Sequence, residues 1–503
     1  MTISVLPYRD TLGVKEGQLF VDGSWRDSSD GATWTHRHPA TNEDVVSFQV
    51  ASAADVDAAV RAARRAFDEG PWPTMKAKER AGLLRRIVEL VTADADRLNQ
   101  LQTLDNGMPL TFSAMDQVSA EMVASIFDHH AGWIDKITGQ TYPQYAGSDS
   151  FTMTLREPVG VVAAIIPWNA PLMLFAQKVA PALASGCTIV LKPSEYASLS
   201  VFRLAELIEE AGLPAGVFNL VPGPGLPTGE ALITHPMIDK ITFTGSRVVG
   251  SRILEASADG IKRVSLELGG KSANLVFSDV PSLDMAAMTA FGMVTMGLSG
   301  QGCVCQTRAL VHASIYDDFL TKASALAGMV KFGDPFEAGT TSGPIINTRQ
   351  LDKVMGYIAS GQEQGARLVI GGDRPSGDLA TGNFVNPTLF ADVDNTMTIA
   401  REEIFGPVLS VIPFSDEDEA IRIANDSPYG LGAGIQTGDV KRAIRVAKAL
   451  RTGTVGVNTY FIRPHFPFGG YKTSGLGREG GFGSIEAFTE VKTVSFGLTD
   501  MPI

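Results

Sequence analysis

Residues 161–192, VVAAIIPWNAPLMLFAQKVAPALASGCTIVLK, decide the fold class of this chain. The run begins with the apolar segment 161–166, which predicts a buried strand. A Pro-Trp-Asn turn follows, and then an almost uncharged helical segment that ends near Gly186. The segment 187–192 is again apolar and rich in β-branched residues, and Pro193 ends it. A buried strand, a helix and a second buried strand in direct succession are typical of a parallel βαβ unit.

The same alternation of strands and helices continues beyond this unit. Further apolar, β-rich runs separated by helical segments stand at 217–221, 240–244 and 263–268. Together they predict a doubly wound parallel sheet, which binds ligands at the carboxyl ends of its strands. A second series, with strands such as ANLVF, RALVH and TVGVN, begins near Asn274 and continues to about residue 457. We therefore expect an α/β fold with two such sheets, preceded by amphipathic helices over 53–68 and 77–101.

The composition limits the class of protein. The chain has 503 residues, of which 44% are hydrophobic and 19% are charged, as expected for two or three packed domains. Its formal net charge of −13, without a basic stripe, disfavours nucleic acid and anionic membrane surfaces as partners. Segments 158–177 and 285–307 are uncharged and long enough to span a membrane. Their interior Pro, Gly and polar residues instead favour buried elements of a soluble protein.

Cysteine usage indicates the cellular compartment. The three cysteines are Cys187, Cys303 and Cys305, a small odd number that argues against a disulfide framework and for a reducing environment. The first ten residues lack the basic and apolar regions of a signal peptide, so we expect a cytoplasmic protein. One residue separates Cys303 from Cys305, which is not the zinc spacing, and no second Cys or His pair follows. The sequence therefore predicts no metal site.

The most informative motif is GQGCVCQTR at 300–308. A thiol in a Gly-rich turn after a long apolar segment can present its sulfur to a cleft. Its thiolate form is a nucleophile, which needs N–H dipoles or an acid–base partner nearby. The alternative interpretation of Cys303 is a buried structural cysteine.

Two further motifs supply groups that a thiol nucleophile needs. In ELGGKS at 267–272, Glu267 closes a strand and two glycines follow, so its carboxylate can reach a cleft and act as a general base if it is desolvated. The alternative is a salt bridge between Glu267 and Lys271. Asn169, in the rigid Pro-Trp-Asn turn, can donate its amide to an oxyanion, or it is simply a turn residue.

Two other motifs fit the binding of a dinucleotide. KPSE at 192–195 follows a strand, and FTGS at 243–246 precedes a helix N-terminus, where phosphates bind. The carboxylate of Glu195 could accept hydrogen bonds from both ribose hydroxyls and repel a 2′-phosphate. The glycines of the segment 223–229 only approximate the G-x-G-x-x-G fingerprint, because the last spacing is one residue too long.

Seven motifs follow one another in a single order: PWNxP, KPSE, FTGS, ELGGKS, GQGC, EEIFGPV at 402–408 and PFGGYKTSGLGRE at 467–479. In order and spacing the chain resembles the aldehyde dehydrogenase superfamily from about Gly17 to Val494. The resemblance implies a soluble enzyme that uses NAD to oxidise an aldehyde to a carboxylic acid through a thioester on Cys303.

The resemblance also implies a domain organisation. A Rossmann-like NAD-binding domain would comprise residues 1–140 and 158–270, and a catalytic domain with the nucleophile would comprise 271–470. Segments 141–157 and 485–503 would form a small oligomerisation sheet, as expected for a homodimer or homotetramer.

The resemblance assigns roles to individual residues. The catalytic set is Cys303 as nucleophile, Glu267 as base for the deacylating water, Asn169 as oxyanion donor together with the Cys303 N–H, and Lys178 and Glu479 as a proton relay. The cofactor set is Lys192 and Glu195 at the adenosine ribose, Gly225 beside the adenine, Trp168 and Ser246 near the pyrophosphate, Glu403 at the nicotinamide ribose and Phe405 near its ring. Further cofactor positions are Ile166, Ser194, Gly229, Thr244, Gly245 and Leu268.

The matching substrate positions are Ala170, Met173, Leu174, Gln177, Gly302, Ile462 and Phe468. They are largely apolar, which favours a hydrophobic or aromatic aldehyde. Arg463 and His465 in the same loop could bind a polar or anionic tail, or could be solvated. Alternatives are an acylating enzyme that passes the thioester to coenzyme A, a semialdehyde dehydrogenase, and a non-catalytic binding protein on the same fold. The chain departs from the family at Leu298, where Asn is common, and at Cys305, which is either a filler or a partner for an oxidised Cys303.

Overall fold

A computed structural model describes residues 3–115, 117–144, 149–459 and 462–498. The parts of the predicted small sheet at 145–148 and 499–503 lie outside the described residues. Within those ranges, no helix is long and apolar enough to cross a bilayer.

The described residues form twenty strands, which in chain order are β1 (Leu19–Val21), β2 (Ser24–Arg26), β3 (Thr33–Arg37), β4 (Asp44–Gln49), β5 (Thr141–Tyr142), β6 (Ser150–Pro158), β7 (Val161–Ile165), β8 (Thr188–Lys192), β9 (Phe218–Leu220), β10 (Lys240–Thr244), β11 (Arg263–Glu267), β12 (Ala273–Val276), β13 (Arg308–His312), β14 (Arg367–Ile370), β15 (Thr388–Ala391), β16 (Val408–Phe414), β17 (Gly432–Gln436), β18 (Thr454–Val457), β19 (Gly475–Leu476) and β20 (Thr489–Gly497).

The α-helices of the same residues are α1 (Leu6–Thr11), α2 (Ala53–Asp68), α3 (Ala77–Ala93), α4 (Ala95–Asn106), α5 (Leu110–Ser113), α6 (Ala120–Ala131), α7 (Pro171–Ser185), α8 (Leu199–Ala211), α9 (Glu230–Thr234), α10 (Arg247–Ala258), α11 (Leu283–Ala287), α12 (Met293–Thr295), α13 (Tyr316–Ala325), α14 (Thr348–Glu363), α15 (Thr398–Arg401), α16 (Glu417–Asn425), α17 (Val440–Ala449) and α18 (Gly481–Glu486).

The first large sheet has the order β19-β11-β10-β7-β8-β9-β1-β2. Its five central strands, β11 to β9 in that order, run parallel, whereas β19, β1 and β2 pair antiparallel at the two edges. Helices α3, α6, α7 and α8 cover one face, and α2, α9 and α10 cover the other. Because helices cover both faces, the strands are buried on both sides and read as continuous apolar runs.

The second large sheet has the order β14-β15-β16-β13-β12-β17-β18, and all its pairs are parallel except β14 with β15. Helices α14 to α17 pack on one face and α11 and α13 on the other. The predicted α/β class with two doubly wound parallel sheets is confirmed. The antiparallel edge strands were not part of the prediction.

Helix α7 shows why an uncharged segment need not cross a membrane. Pro171 occupies its first turn, where a missing N–H costs nothing, and all its residues are buried against the sheet and neighbouring helices. A helix that is apolar on every side belongs in the core of a large protein. Its position places the preceding turn, with Asn169, at the carboxyl end of β7.

The single predicted helix over 77–101 is wrong. Two helices, α3 and α4, meet at Asp94, whose backbone leaves the helical region with φ −105° and ψ 12°. The carboxylate of Asp94 accepts a hydrogen bond of 2.7 Å from Arg203 Nε on α8. This tertiary contact fixes the corner, which the helical periodicity of the sequence does not reveal.

A smaller sheet of three antiparallel strands has the order β20-β6-β5. Strand β20 pairs with β6 along its whole length, from Thr489 opposite Pro158 to Gly497 opposite Ser150. The far C-terminal segment thus returns to the middle of the chain, next to the start of β7.

Candidate active site

Three neighbouring strands of the first sheet end at one cleft. Strand β7 leads to Trp168 and Asn169, β10 leads to Gly245 and Ser246, and β11 ends in Glu267. The cleft leaves about 820 Å³ free of protein atoms, and residues of the second half of the chain form its opposite wall. This is the edge at which doubly wound sheets bind ligands.

Cys303 lies in that opposite wall, in the turn between α12 and β13. Its side chain is half-buried and lines the cleft, and is not sealed in the core as a structural cysteine would be. A Cβ atom at Gly270 would lie 2.4 Å from the Cys303 carbonyl oxygen. The two glycines after Glu267 therefore allow the general-base motif to lie directly against the cysteine turn.

Asn169 is held beside the same turn by its side-chain amide. Its Nδ2 donates to the carbonyl of Gln301 at 3.0 Å. Because an amide nitrogen carries two hydrogens, the other remains available to a ligand in the cleft. The Asn106 amide, at the end of α4, donates to the carbonyls of Trp168 (3.1 Å) and Asn169 (3.3 Å) and so fixes the turn.

Glu267 is an almost fully buried carboxylate, with 4% of its surface exposed. Its Oε1 faces Gly469, where a Cβ atom would lie 2.7 Å away, and its Oε2 has no hydrogen-bond partner among the described residues. Burial, and then the negative charge of Glu479, raise the pKa of Glu267 well above its usual value, while Lys178 opposes the rise. The alternative salt bridge with Lys271 is not formed, because the Lys271 amine has no partner within the described structure.

The Cys303 thiol is strongly held in its neutral form. Burial, followed by the charges of Glu403 and Glu267, raises the pKa of Cys303 above its usual value. Burial likewise raises the pKa of Cys305 to about 11. Without a ligand, both thiols are therefore protonated near neutral pH, and ionisation of Cys303 requires a base or a nearby positive charge.

Lys178 and Glu479 form an ion pair behind Glu267. Lys178 Nζ lies 2.6 Å from Glu479 Oε1 and 3.4 Å from Thr242 Oγ1, and both charged side chains are almost fully buried. Glu479 Oε2 has no other partner in the described structure. A buried row of two carboxylates and an amine can hold or pass a proton between the cleft and the interior.

The part of the cleft that follows the carboxyl end of β10 fits the phosphates of a dinucleotide. Helix α10 begins here, and Ser246 caps it by accepting a hydrogen bond of 3.4 Å from the Val249 N–H. The first turn of α10 presents further free N–H groups and the positive end of its dipole. The buried Thr244 hydroxyl beside it has no partner among the described residues, which also suits a polar ligand.

The predicted ribose residues lie at the end of β8. Lys192 Nζ donates to the carbonyls of Pro193 (2.8 Å) and Gly223 (2.6 Å), so it ties the segment with Gly225 and Gly229 to the strand end. Burial lowers the pKa of Lys192, and the nearby Glu195 carboxylate opposes this. Glu195 itself is half-buried.

Glu403 and Phe405 close the other side of the cleft. Glu403 Oε1 accepts a hydrogen bond of 3.0 Å from the Gly270 N–H, and burial raises the pKa of Glu403. Phe405 has a left-handed φ of 58°, and its ring meets the Trp168 ring edge to face at 5.3 Å. Gln350 Nε2 holds this turn by donating to the carbonyl of Phe405 at 3.1 Å.

The structure brings many, but not all, of the predicted site residues to the cleft. Those that line it are Cys303, Glu267, Asn169, Trp168, Thr244, Gly245, Ser246, Leu268, Glu403, Phe405, Ala170, Met173 and Leu174. Those that do not are Lys178, Glu479, Ile166, Lys192, Ser194, Glu195, Gly225, Gly229, Gln177, Gly302, Ile462 and Phe468.

Sequence reasoning missed Gln350 and Lys353, which line the cleft from α14, and Asn106, which positions the Asn169 turn. Asn106 precedes a glycine at a helix end, so its sequence context indicates only a turn. Across the described residues, no group of three or more His, Cys, Asp or Glu side chains is placed to share a metal ion.

Known proteins match this chain over nearly its whole length. A model described as "Aldehyde dehydrogenase family" matches residues 25–494. An aldehyde dehydrogenase of Enchytraeus buchholzi is 45% identical over 494 residues, 97% of each chain. The mitochondrial benzaldehyde dehydrogenase of Antirrhinum majus is 42% identical over 491 residues, 97% of this chain and 90% of that protein.

The likeness extends to three dimensions. The solved NAD+ complex of an aldehyde dehydrogenase from Bacillus cereus is 41% identical, with a TM-score of 0.94 over 99% of this chain and 100% of that chain. The resemblance seen in the seven sequence motifs is thereby confirmed. The chain belongs to the aldehyde dehydrogenase family.

Proposed function

We propose that this enzyme oxidises an aldehyde to the carboxylic acid with NAD, through a thioester on Cys303. The observation that carries the proposal is the meeting of a thiol, an amide donor and a buried carboxylate at one cleft, opposite an open helix N-terminus. The residues present fit NAD: the α10 N-terminus and Thr244 suit phosphates, and Glu403 suits a ribose. When bound, NAD supplies the hydride acceptor for the oxidation.

The first chemical step in this proposal is addition of the Cys303 sulfur to the aldehyde carbon, while the thiol proton passes to water in the cleft. The oxyanion that develops accepts hydrogen bonds from the free Asn169 amide hydrogen and the Cys303 N–H. Such a donor is typically worth about 3 kcal/mol in a transition state. Asn106 and Gln301 keep the Asn169 amide in place without solvent reorganisation.

Loss of hydride from this adduct, for which bound NAD would be the acceptor, produces the thioester, and the last step is hydrolysis of that thioester. Glu267 takes a proton from water, whose hydroxide oxygen adds to the thioester carbon, and the acid leaves with regeneration of Cys303. A raised pKa makes Glu267 a stronger base than an ordinary carboxylate. The proton can then pass towards the Glu479–Lys178 pair.

We infer that the substrate is a hydrophobic or aromatic aldehyde. The part of the cleft next to Asn169 is lined by Ala170, Met173 and Leu174, which are apolar. The similarity to a benzaldehyde dehydrogenase supports this choice. Formation of NADH with a panel of aliphatic, terpenoid and aromatic aldehydes tests it, and a flat trace with bound NAD would refute the catalytic proposal. Product analysis with and without coenzyme A distinguishes hydrolysis from acyl transfer.

We further propose that the enzyme is a homo-oligomer of the cytoplasm. The three-stranded sheet exposes large apolar side chains at Phe151, Leu155, Val491 and Phe496, which a second copy would cover. The three cysteines are free, which fits a reducing compartment. Light scattering of the purified enzyme measures the number of copies.

Replacing Glu195 by glutamine is expected to weaken the preference for NAD over NADP by about tenfold or more, because a neutral amide no longer repels a 2′-phosphate. The measurement is the ratio of kcat/KM for the two cofactors. Glu206→Gln, an exposed carboxylate on α8, is the control. An unchanged ratio in Glu195→Gln would remove this residue from the ribose site.

Replacing Glu479 by glutamine is expected to move the acidic limb of the steady-state pH profile to lower pH. The charge of Glu479 raises the pKa of Glu267, and the charge of Lys178 lowers it. When the Glu479 charge is removed, the lowering effect of Lys178 is no longer opposed, so the pKa of Glu267 falls. Glu267 works as a base only above its pKa, so activity then persists further into acid. Glu490→Gln, on the exposed small sheet, is the control. If the acidic limb of the Glu479→Gln profile stays in place or moves to higher pH, the charge of Glu479 does not raise the pKa of Glu267.

A further inference from the structure

A second cavity lies behind the catalytic turn, between the start of β12, the end of α16 and residues 450–452. Its volume is about 20 Å³, enough for a single small ion or water molecule. The polar side chains in its wall belong to Lys271, Ser272, Arg308, Asn425, Tyr429, Arg451 and Thr452, and the apolar part of the wall consists of Ala273, Ala424, Leu431, Ala433 and Leu450. The proposed oxidation uses none of these groups.

The Lys271 amine is buried without a counter-ion. Its side chain is 2% exposed, and Nζ has no hydrogen-bond partner in the described part of the chain. Burial, helped by the charge of Arg308, lowers the pKa of Lys271 to about 7, and the charges of Glu403 and Glu402 oppose this. An ammonium in such a position requires either proton loss or an anion beside it.

Arg308 is a second buried cation, and it directly contacts no carboxylate of the described residues. Its guanidinium is 1% exposed and donates to Asn395 Oδ1 at 2.7 Å and to the backbone carbonyls of Lys271, Ile423 and Ala424. The nearest acid, Asp426, already accepts hydrogen bonds of 2.9 Å from Arg401 and Asn395. Two buried basic side chains therefore line one cavity, and neither contacts an acid among the residues that the structure describes; the third basic residue of the wall, Arg451, is exposed.

Two hydroxyls of the wall are further donors without a partner in the described structure. The buried hydroxyls of Ser272 and Thr452 have no partner among the described residues. The carbonyl oxygens nearby are already used: Asn425 accepts from Lys472 at 2.8 Å and Leu431 accepts from the Thr454 N–H at 3.1 Å. A ligand that only accepts hydrogen bonds suits this set better than water, which must also donate.

We propose that the cavity binds a small monovalent anion, of which chloride is the simplest, between the Lys271 amine, the Arg308 guanidinium and the hydroxyls of Ser272 and Thr452. The anion compensates the buried positive charge of the wall and joins β12 and β13 to the segment 450–452. It lies behind the cysteine turn and takes no part in the oxidation.

Thermal unfolding of the full-length enzyme in chloride, compared with methanesulfonate at equal ionic strength, tests the proposal. We expect chloride to raise Tm in a saturable manner by about 2 °C well above its dissociation constant. Lys271→Met should abolish the saturable rise and Thr452→Val should weaken it. Lys441→Met and Thr321→Val, on exposed helix surfaces, should leave it unchanged.

Crystals grown in bromide give an independent result, which does not depend on the folding of any variant. An anomalous peak between Lys271 and Arg308 is expected. Overturning results are a water without anomalous signal at that point, a Tm that is equal in chloride and methanesulfonate, or a saturable rise that survives unchanged in both cavity variants.

Discussion

Replacement of Cys303 by alanine is expected to abolish aldehyde oxidation while NAD still binds. The alanine variant has no sulfur to form the thioester, and loss of a covalent nucleophile typically lowers kcat by about a thousandfold or far more. The proposed binding of NAD at the N-terminus of α10 does not depend on the thiol. The measurements are the steady-state rate of NADH formation and the quenching of protein fluorescence by NAD.

Cys305→Ala is the matched control for this experiment. Cys305 lies two residues away in the same turn and is half-buried, and burial raises its pKa as well, yet it does not line the cleft. We expect this variant to retain most of the activity. Full activity of Cys303→Ala together with loss in Cys305→Ala would mean that the nucleophile had been assigned to the wrong sulfur.

Replacement of Glu267 by glutamine is expected to produce one rapid turnover and then a stall. Thiol addition and hydride loss do not require this carboxylate in the proposed mechanism, whereas hydrolysis of the thioester does. Rapid mixing should therefore show a burst of NADH close to one equivalent per site. Loss of a general base typically slows the following step by about a hundredfold to ten-thousandfold.

The pH dependence of the wild-type enzyme is a second test of the role of Glu267. Burial holds the pKa of Glu267 above its usual value, so deacylation should fall as the pH drops through that raised pKa. In Glu267→Gln this limb should disappear. Mass spectrometry should find the acyl group on Cys303 in the stalled enzyme; an unchanged steady rate without an acyl adduct would reject the assignment of the base.

The sequence predicted the family and the parallel cores of both sheets because the signals for these are local. A buried strand, a helix and a buried strand lie in succession in residues 161–192, and the motifs at 267–272 and 300–308 each occupy a few consecutive positions. The cleft then follows from topology, since neighbouring parallel strands end at one edge.

Contacts between distant segments could not be predicted in this way. The pairing of β19 with β11 joins residues that are far apart in sequence, and a two-residue strand has no periodicity to detect. Gln350 and Lys353 face the cleft from the amphipathic helix α14. The sequence pattern of this helix indicates that its polar side chains are in solvent, not that two of them line a cleft. The Asn106 contact with the Asn169 turn depends on how α4 meets β7, which no local pattern encodes.

The pairing of the short strand β19 also affects how the protein folds during its synthesis. Leu266 pairs with Leu476 and Glu267 pairs with Gly475, and the Leu268 N–H donates to the Ser474 carbonyl at 2.9 Å. During synthesis on the ribosome, the N-terminal half emerges long before residue 476, so the edge beside Glu267 stays open until residues 475–476 have been made. A fragment that stops after the nucleophile would therefore expose an unpaired strand edge, which is a site for aggregation. Glu267 reaches its final environment only when residues 474–476 have folded back against β11.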